Sequence, residues 1–326
     1  MKHRNFLTTV FLFALFIGVS CTPNKKAQAE APENEEQGFE AQSIVPDTFV
    51  LPTVPAVITQ PKARYEYLST HFWDRFDFTN RNLIGDDNFL EQALVDYLAV
   101  LRSIPPQKVS PSVVYTLKKA EADSVMYAHF AKFFEKYLHD PNSPVRNEDF
   151  YIAILQNLVK SPVLSDADKS KYNFQLEMVF KNRVGKIATD FTFTTASGHK
   201  ATLHSLASEY LLMIFFDPDC PSCKENIKYL NESQAIQHAL SLNTPGRTLL
   251  TIVTVYTEGN VGEWKAKLNN LPGNWINVYD AERAIVNKKL YDIRAIPTIY
   301  LLNKDKIVLQ KDVTAEMAES FIGQLR

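Results

Sequence analysis

The sequence predicts an all-α domain followed by an α/β domain. Between about residues 62 and 181, apolar side chains recur at helical intervals, with little glycine and no alternation typical of strands. From residue 184 onwards, strand-like runs alternate with helix-like runs, which is the pattern of β-α-β units. We therefore expect four segments: a leader over 1–20, a tether over 21–60, an all-α domain over 61–183 and an α/β domain over 184–326.

Composition limits the classes of function. The chain has 326 residues, 45% of them apolar and 22% charged, which is ordinary for a soluble globular protein of about two domains. A formal net charge of −2 provides no field that would attract a polyanion, so we expect no nucleic-acid partner. The three cysteines, Cys21, Cys220 and Cys223, are too few and too closely spaced for a disulfide-stapled scaffold.

The leader predicts export. A basic start at Lys2 and Arg4 precedes an apolar stretch over residues 6–19, which is short for a membrane span, and Cys21 stands where that stretch ends. This resembles a bacterial lipoprotein signal, although Gly18 replaces the usual leucine. We expect a lipid on Cys21 that anchors the protein to a membrane of the bacterial envelope, facing the periplasm. The alternative is a plain secretory peptide with an incidental cysteine.

The tether predicts a spacer without recognition of its own. Residues 22–59 contain five prolines and an acidic run over 30–36, a composition typical of disorder. A coil of that length has an end-to-end span of roughly 35 Å.

Helix starts are the clearest signals in the all-α domain. Ser110 and Pro111 predict the N-cap and first residue of one long helix, which Pro141 ends. Further helices are expected to begin near Asn147 and near Ser165, where Ser165 and Asp168 resemble a capping pair.

An aromatic cluster near the start of that domain predicts core packing rather than a ligand cage, because aromatic side chains dominate buried area. Its members are Tyr65, Tyr67, Phe72, Trp73, Phe76 and Phe78. A metal site built from His71, Asp74 and Asp77 is disfavoured, since their spacing lacks the regularity of paired ligands.

Eleven elements are expected in the α/β domain. The strands are predicted at 188–194, 200–203, 210–216, 249–256, 275–279, 298–302 and 306–310, and the helices at 221–240, 261–268, 281–290 and 315–325.

The cysteine pair gains its meaning from its position. Cys220 follows a strand expected to be buried on both faces, and Cys223 falls in the first turn of the next helix. Helix N-termini favour anions, and the thiolate is the nucleophile of disulfide exchange. We expect Cys220 to be the attacking thiol and Cys223 to resolve the mixed disulfide. The spacing alone is weaker, because half a zinc site looks identical.

A second element is the segment from Arg294 to Thr298. A cis peptide bond before Pro297 would place a kinked backbone segment beside the cysteines, where it can pair with an extended substrate chain. The predicted substrate-binding residues are therefore Ile296, Thr298, Pro221 and Ser222.

Together these two elements resemble thioredoxin, and the lead-in over residues 185–206 is similar to the envelope thioredoxins called TlpA-like. The run over residues 67–78 resembles the helical domain, of no settled function, that precedes a thioredoxin module in some bacterial lipoproteins. The resemblance implies an α/β thioredoxin fold over 184–326, with Cys220 as nucleophile, Cys223 as resolving cysteine and Pro297 as cis proline.

Three residues bear on the reactivity of the cysteines. Asp219 replaces the tryptophan usual before the first cysteine, and Ile214 stands where the family often has a buried, proton-shuttling aspartate. Asp217 is the remaining candidate for deprotonating the resolving thiol. Asp217 and Asp219 also oppose a thiolate at Cys220, whereas the helix N-terminus favours one, so these residues do not predict the redox direction. The resemblance to lone TlpA-like modules, which are mostly similar to reductants, implies a reductant.

The expected function is that of an envelope thiol-disulfide oxidoreductase that reduces protein disulfides, receives electrons from an upstream dithiol donor and needs no cofactor or metal. The rival from another class is a redox-inactive binding or scaffold lipoprotein that uses the helical domain. A thiol peroxidase is disfavoured, because Asp217 or Cys220 stands where it requires threonine or serine. Zinc bound by both cysteines with His204 or His199 is disfavoured because no second paired motif occurs.

Overall fold

The computed structural model describes residues 49–85, 87–258 and 260–325. The predicted leader, most of the tether and the lipidation residue Cys21 lie outside the described residues. The first half of the described chain is helical. Its elements are α1 (Pro61–His71), a 3-10 helix (Arg81–Gly85), α2 (Asp87–Arg102), α3 (Pro106–Ala120), α4 (Ser124–Leu138), α5 (Glu148–Leu158) and α6 (Asp166–Val179).

Two of the predicted helix starts are confirmed. The side chain of Asn147 accepts a hydrogen bond from Phe150 N at the start of α5, and that of Ser165 accepts from Asp168 N at the start of α6. Each cap satisfies a backbone N–H that has no partner within the helix.

The prediction of one long helix starting after Ser110 is wrong. α3 already begins at Pro106 and includes Pro111, because its buried stripe starts at Val109 and continues through Val113 and Leu117. Burial of this stripe outweighs the one helical hydrogen bond that a proline cannot make. The helix then ends at Ala120. A new helix, α4, begins after Asp123, whose side chain accepts hydrogen bonds from the N–H groups of residues 125 and 126.

The aromatic cluster lies in the core of the helical domain, as predicted for most of its members. Phe72, Trp73, Phe76 and Phe78 are buried, and the Trp73 ring meets that of Phe130 edge to face at 5.0 Å. Such contacts add about 0.5–1.5 kcal/mol each beyond the burial of area. Tyr65 differs from the prediction because its side chain is exposed.

The second half of the described chain forms a seven-stranded mixed sheet in the order β2-β1-β5-β4-β3-β6-β7. The strands are β1 (Thr192–Thr195), β2 (Lys200–Thr202), β3 (Tyr210–Phe216), β4 (Leu250–Tyr256), β5 (Ile276–Tyr279), β6 (Thr298–Asn303) and β7 (Val308–Val313). The helices are α7 (Pro221–Glu232), α8 (Gln234–Ser241), α9 (Val261–Ala266), α10 (Ala284–Asn287) and α11 (Ala315–Ile322). β3 pairs in parallel with β4 and antiparallel with β6.

Strand β3 is buried on both faces. Leu212, Ile214 and Phe216 belong to one apolar core, whereas Leu211, Met213 and Phe215 alternate with them into the other. This arrangement is a thioredoxin fold, preceded by the helical domain that the sequence predicts. The carboxyl end of β3 therefore lies at a central position of the sheet, from which the chain continues directly into α7.

Two predicted helices are interrupted. The stretch 221–240 divides at Ser233, whose side chain accepts from Ile236 N and so begins a second helix, α8. The stretch 281–290 shrinks to a single turn, since Arg283 before it and Lys289 after it both adopt a positive φ of 51°. Among the helices of the described residues, none is both long and apolar enough to cross a membrane.

Candidate redox site

The cysteine pair lies at the connection between the end of β3 and the start of α7. A short turn, in which Cys220 N donates to Asp217 O at 3.2 Å, links the two elements. Cys220 is the N-cap residue of α7, and Pro221 occupies the first helical position, where its missing N–H and fixed φ cost nothing. Cys223 follows in the first turn, so both sulfurs lie at the N-terminal end of a twelve-residue helix.

The Cys220 thiol is partly exposed and surrounded by donors. Its Sγ lies 3.3 Å from Cys223 N, which donates to it, and 3.1 Å from Ser222 Oγ. Burial opposes ionisation of this thiol, but hydrogen bonds from Cys223 and Ser222 favour the thiolate more strongly and lower the pKa of Cys220. The N-terminal end of α7 favours a negative charge in the same place.

The second cysteine has the opposite character. Cys223 is fully buried, and burial, followed by its hydrogen bond with Cys220, raises its pKa to about 12. Both cysteines are free thiols, and their pKa values are displaced in opposite directions. The pair thus combines an accessible, easily ionised sulfur with an inaccessible, protonated one.

The segment before β6 lies against Cys220. The Ile296–Pro297 bond is cis, and the carbonyl oxygen of Ile296 lies 3.6 Å from Cys220 Sγ and 3.3 Å from Ser222 Oγ. Ile296 and Pro297 are half-buried, and Ser222 is exposed. The structure therefore brings these predicted residues together around the Cys220 sulfur.

The other two predicted substrate-binding residues differ in exposure. Pro221 is exposed at the start of α7. Thr298 is buried, and its hydroxyl donates to the carbonyl oxygen of Ala295. The Thr298 side chain therefore closes the turn behind Pro297 and is not exposed to a partner at this surface.

The two acidic residues before Cys220 are engaged elsewhere. Asp219 forms an ion pair with Lys267, and this contact lowers the pKa of the Asp219 carboxyl. Its backbone N donates to Asp217 Oδ1 at 2.6 Å. The charge of Lys267 offsets the repulsion that Asp219 exerts on a thiolate at Cys220. The sequence offered no signal for Lys267, because it lies 48 residues away and no local pattern links the two.

A cleft opens beside the buried cysteine. Its volume is about 600 Å³, and its lining includes Asp217, Cys223, Ile227, Lys267 and Leu271. Ile214, at the position of the family's usual aspartate, is buried in the apolar core. Asp217 is therefore the carboxylate that lines this cleft together with Cys223.

Several residues considered as metal ligands have other partners. His204 Nε2 contacts the carbonyl oxygen of Ala188 at 2.8 Å, and His71 Nδ1 lies 2.6 Å from Asp74 Oδ2. Asp77 accepts from Thr79. Across the part of the chain that the structure describes, no three histidine, cysteine or acidic side chains are grouped so as to hold a metal ion.

Known proteins resemble both halves of the chain. A family model described as a domain of unknown function, DUF5106, matches residues 20–182. The crystal structure of a thioredoxin-like protein from Bacteroides caccae is 37% identical, covers 84% of this chain and 98% of its own, and superimposes with a TM-score of 0.79.

Two further relatives match a smaller part. The C-terminal domain of an uncharacterised protein from Bacteroides fragilis is 39% identical and covers 44% of this chain and 99% of its own, with a TM-score of 0.42. Thiol-disulfide oxidoreductase ResA of Bacillus cereus is 23% identical over 152 residues, which is 45% of this chain and 79% of the relative. The chain therefore belongs to the DUF5106 family, whose domain covers its helical half, and to the thioredoxin-like proteins represented by that of Bacteroides caccae.

Proposed function

We propose that this protein is a thiol-disulfide oxidoreductase of the bacterial cell envelope that reduces disulfides in other proteins. One observation carries the proposal: a partly exposed Cys220 with a lowered pKa lies beside a buried Cys223 whose pKa is raised to about 12. Disulfide exchange needs one accessible thiolate and one sulfur held back until an intermediate has formed. The name of the Bacillus relative, thiol-disulfide oxidoreductase, supports the same class of reaction.

The reaction has two thiol transfers. The Cys220 thiolate attacks one sulfur of a substrate disulfide, forming a mixed disulfide and releasing the first substrate thiolate. Cys223 then loses its proton and attacks Cys220 Sγ, which releases the second substrate thiolate. Two electrons pass to the substrate, and the protein is left with a Cys220–Cys223 disulfide. A dithiol donor must reduce this disulfide before the next turnover, so the reaction needs no resident cofactor.

Cys223 must lose its proton without the aspartate that the family often has, because Ile214 stands at that position. The raised pKa of Cys223 leaves almost no thiolate at neutral pH. Once Cys220 is bound in a mixed disulfide, its negative charge and its hydrogen bond to Cys223 are gone, and the pKa of Cys223 falls. Asp217, which lines the same cleft, is our candidate acceptor of the proton through water.

Substrate contacts are proposed around the Cys220 sulfur. The half-buried Ile296–Pro297 segment offers backbone to an extended chain, while Pro221 and Ser222 form the opposite, exposed side. Pairing through backbone atoms suits an enzyme that accepts several unrelated protein disulfides, because every polypeptide carries the same groups.

Envelope location rests on the leader. The basic start, the short apolar stretch and Cys21 support export, lipidation and attachment to a membrane, with the folded part on the periplasmic side. Metabolic labelling with a fatty-acid analogue tests this in cells: wild-type protein should be labelled and membrane-bound. A Cys21→Ala variant should be unlabelled, and labelling of that variant would overturn the assignment.

The first experiment on the reaction is an equilibrium reduction potential. The Cys220–Cys223 pair is equilibrated in glutathione or dithiothreitol buffers and then alkylated, with Cys220→Ser as the control. A value near about −270 mV, as in thioredoxin, supports a reductant, whereas a value near about −120 mV would make the protein an oxidant. A pair that exchanges with neither buffer would leave a redox-inactive binding protein and end the proposal.

A further inference from the structure

An arginine side chain links the helical domain to the segment beside the redox site. Arg294 lies in the segment that leads to the cis bond, with only Ala295 between it and Ile296. Its guanidinium contacts the helical domain: Nη1 lies 2.9 Å from His139 Nδ1 and also donates to the carbonyl oxygen of His139. His139 is the C-cap residue of α4 in the helical domain.

A shared carboxylate completes the junction. Asp312 of β7 accepts from Arg294 Nη2 at 3.2 Å and from Arg146 Nη1 at 2.6 Å, and Arg146 belongs to the loop between α4 and α5. Asp292 lies close as well, with Oδ2 at 3.1 Å from Arg294 Nε, and burial raises the pKa of its carboxyl. The Arg294 side chain is only 17% exposed at this place. In such surroundings ionic contacts are stronger than on an open surface.

The helical side of this junction is held firmly. The His139 ring stacks on Tyr151, with ring centroids 4.7 Å apart, and Tyr151 is fully buried in the helical core. Burial, followed by the Arg294 guanidinium, lowers the pKa of His139 to about 3. The ring is therefore neutral at physiological pH, and its Nδ1 lone pair can accept from Arg294.

On the thioredoxin-fold side of the junction, the residues that follow Arg294 contact the Cys220 sulfur. Thr298 Oγ1 bonds the carbonyl oxygen of Ala295 and fixes the turn, and the carbonyl oxygen of Ile296 contacts both Ser222 and Cys220. A displacement of Arg294 would therefore move the backbone that we assign to substrate pairing. Such backbone has to be placed within fractions of an ångström to be effective.

Apolar packing does not fill this junction. A cavity of about 400 Å³ opens beside it, and its lining includes Leu138, His139, Arg146, Arg294 and Met317. Because this space is open, the position of the Arg294 side chain depends on discrete polar bonds at this point rather than on close packing.

We infer that Arg294 is a positioning residue through which the helical domain sets the substrate-pairing segment Ile296–Pro297, using the contacts of Arg294 with His139 and Asp312. This inference rests on the proposed function, since it gives the helical domain a task in that reaction. The domain of unknown function would then raise the affinity for substrate without contacting the sulfur atoms itself.

The test compares three variants of the full chain. Arg294→Met removes the guanidinium, Arg294→Lys keeps the charge but loses the planar fork, and Arg146→Met removes the other partner of Asp312 while leaving the Ile296 segment untouched. KM and kcat are measured on a peptide disulfide, together with the rate of alkylation of Cys220 by iodoacetamide. Hydrogen exchange of the peptide spanning residues 291–299 is followed without substrate.

We expect Arg294→Met to raise KM about tenfold, to leave kcat and the alkylation rate near wild type, and to speed exchange in residues 291–299. Arg294→Lys should lie between, and Arg146→Met should stay within twofold of wild type. An unchanged KM and exchange rate in Arg294→Met would overturn the inference, as would an equal loss in Arg146→Met. If wild-type protein reduces no disulfide, the proposed function fails. The rate of hydrogen exchange in residues 291–299 then tests by itself whether Arg294 positions that segment. If Arg294→Met does not fold, Arg294→Lys decides.

Discussion

The aromatic core of the helical domain and the carboxyl end of β3 are opposite kinds of environment. Around Trp73 the side chains are large, apolar and buried, and their rings contact one another edge to face. Around Cys220 the side chains are small, partly exposed and joined by hydrogen bonds to sulfur. The aromatic core can stabilise the fold but has no reactive group. The surroundings of Cys220 have a reactive thiol but contribute little to the free energy of unfolding. Substitutions in the two regions should therefore separate activity from folding.

The largest effect is expected at the exposed thiol. Cys220→Ser should reduce disulfide turnover at least about ten-thousandfold, because a serine hydroxyl cannot act as the nucleophile. The denaturant midpoint should stay at the wild-type value, since the side chain is partly exposed and similar in size. Reduction of insulin or of a peptide disulfide measures the first quantity, and urea unfolding the second.

Cys223→Ser serves as the matched comparison for that variant. It should complete the first transfer and accumulate a mixed disulfide on Cys220, visible as a mass increase equal to the substrate. Turnover that survives in Cys220→Ser would contradict the assignment of the nucleophile.

The next effect concerns the helical core. Trp73→Ala should lower the free energy of unfolding by about 3–5 kcal/mol, the usual cost of truncating a buried aromatic side chain. Val57→Ala, at a side chain that is 86% exposed, is the control and should change stability by less than about 0.5 kcal/mol. The folded fraction of Trp73→Ala should keep the alkylation kinetics of Cys220. A stability change of equal size in both variants would show that the aromatic contacts are not the source.

A smaller effect is expected in the pH dependence of thiol reactivity. Alkylation requires the thiolate, so a lowered pKa at Cys220 moves its reaction towards lower pH than in the urea-unfolded chain. While Cys220 is unmodified, Cys223 should resist alkylation until the pH approaches about 12. In Ser222→Ala the Cys220 profile should move towards higher pH, since one donor to the thiolate is lost. Coincident profiles for both cysteines in the folded protein would refute the asymmetry.

The smallest effect belongs to the surface ion pair. Lys267→Met leaves Asp219 without its cation, so the pKa of Cys220 should rise slightly and its alkylation profile should shift in the same direction. The unfolding midpoint should not change, because the Asp219 side chain is 64% exposed. Lys265→Met, on the same surface, is the control. An equal shift in both variants would point to the overall charge rather than to this pair.

Local signals predicted much of this fold. Strand β3 has the predicted bounds, Pro221 begins α7, and the caps at Asn147 and Ser165 lie as expected. Each of these features is decided within a few residues of the chain by periodicity or by capping. Asp123 is also an N-cap residue, and as a capping signal it predicts a division of the long helix into α3 and α4.

The parts of the site that escaped prediction depend on distant partners. Lys267 meets Asp219 across 48 residues, and Arg294 meets His139 across 155. A single sequence contains no pattern that joins such pairs, because only the folded topology brings them together. The start of α3 was missed for a related reason: a buried stripe prevailed over a local proline signal.

The outer strand β7 leads to a different consequence. Val308 exchanges backbone hydrogen bonds with Gly185 and Lys186 of the connecting segment, and the carbonyl oxygen of Asp312 accepts from Arg146. The opposite outer strand, β2, is only three residues long. Open sheet edges are templates for aggregation. Here the segment that connects the two domains pairs with part of the longer edge. This segment therefore also protects the protein from edge-to-edge self-association.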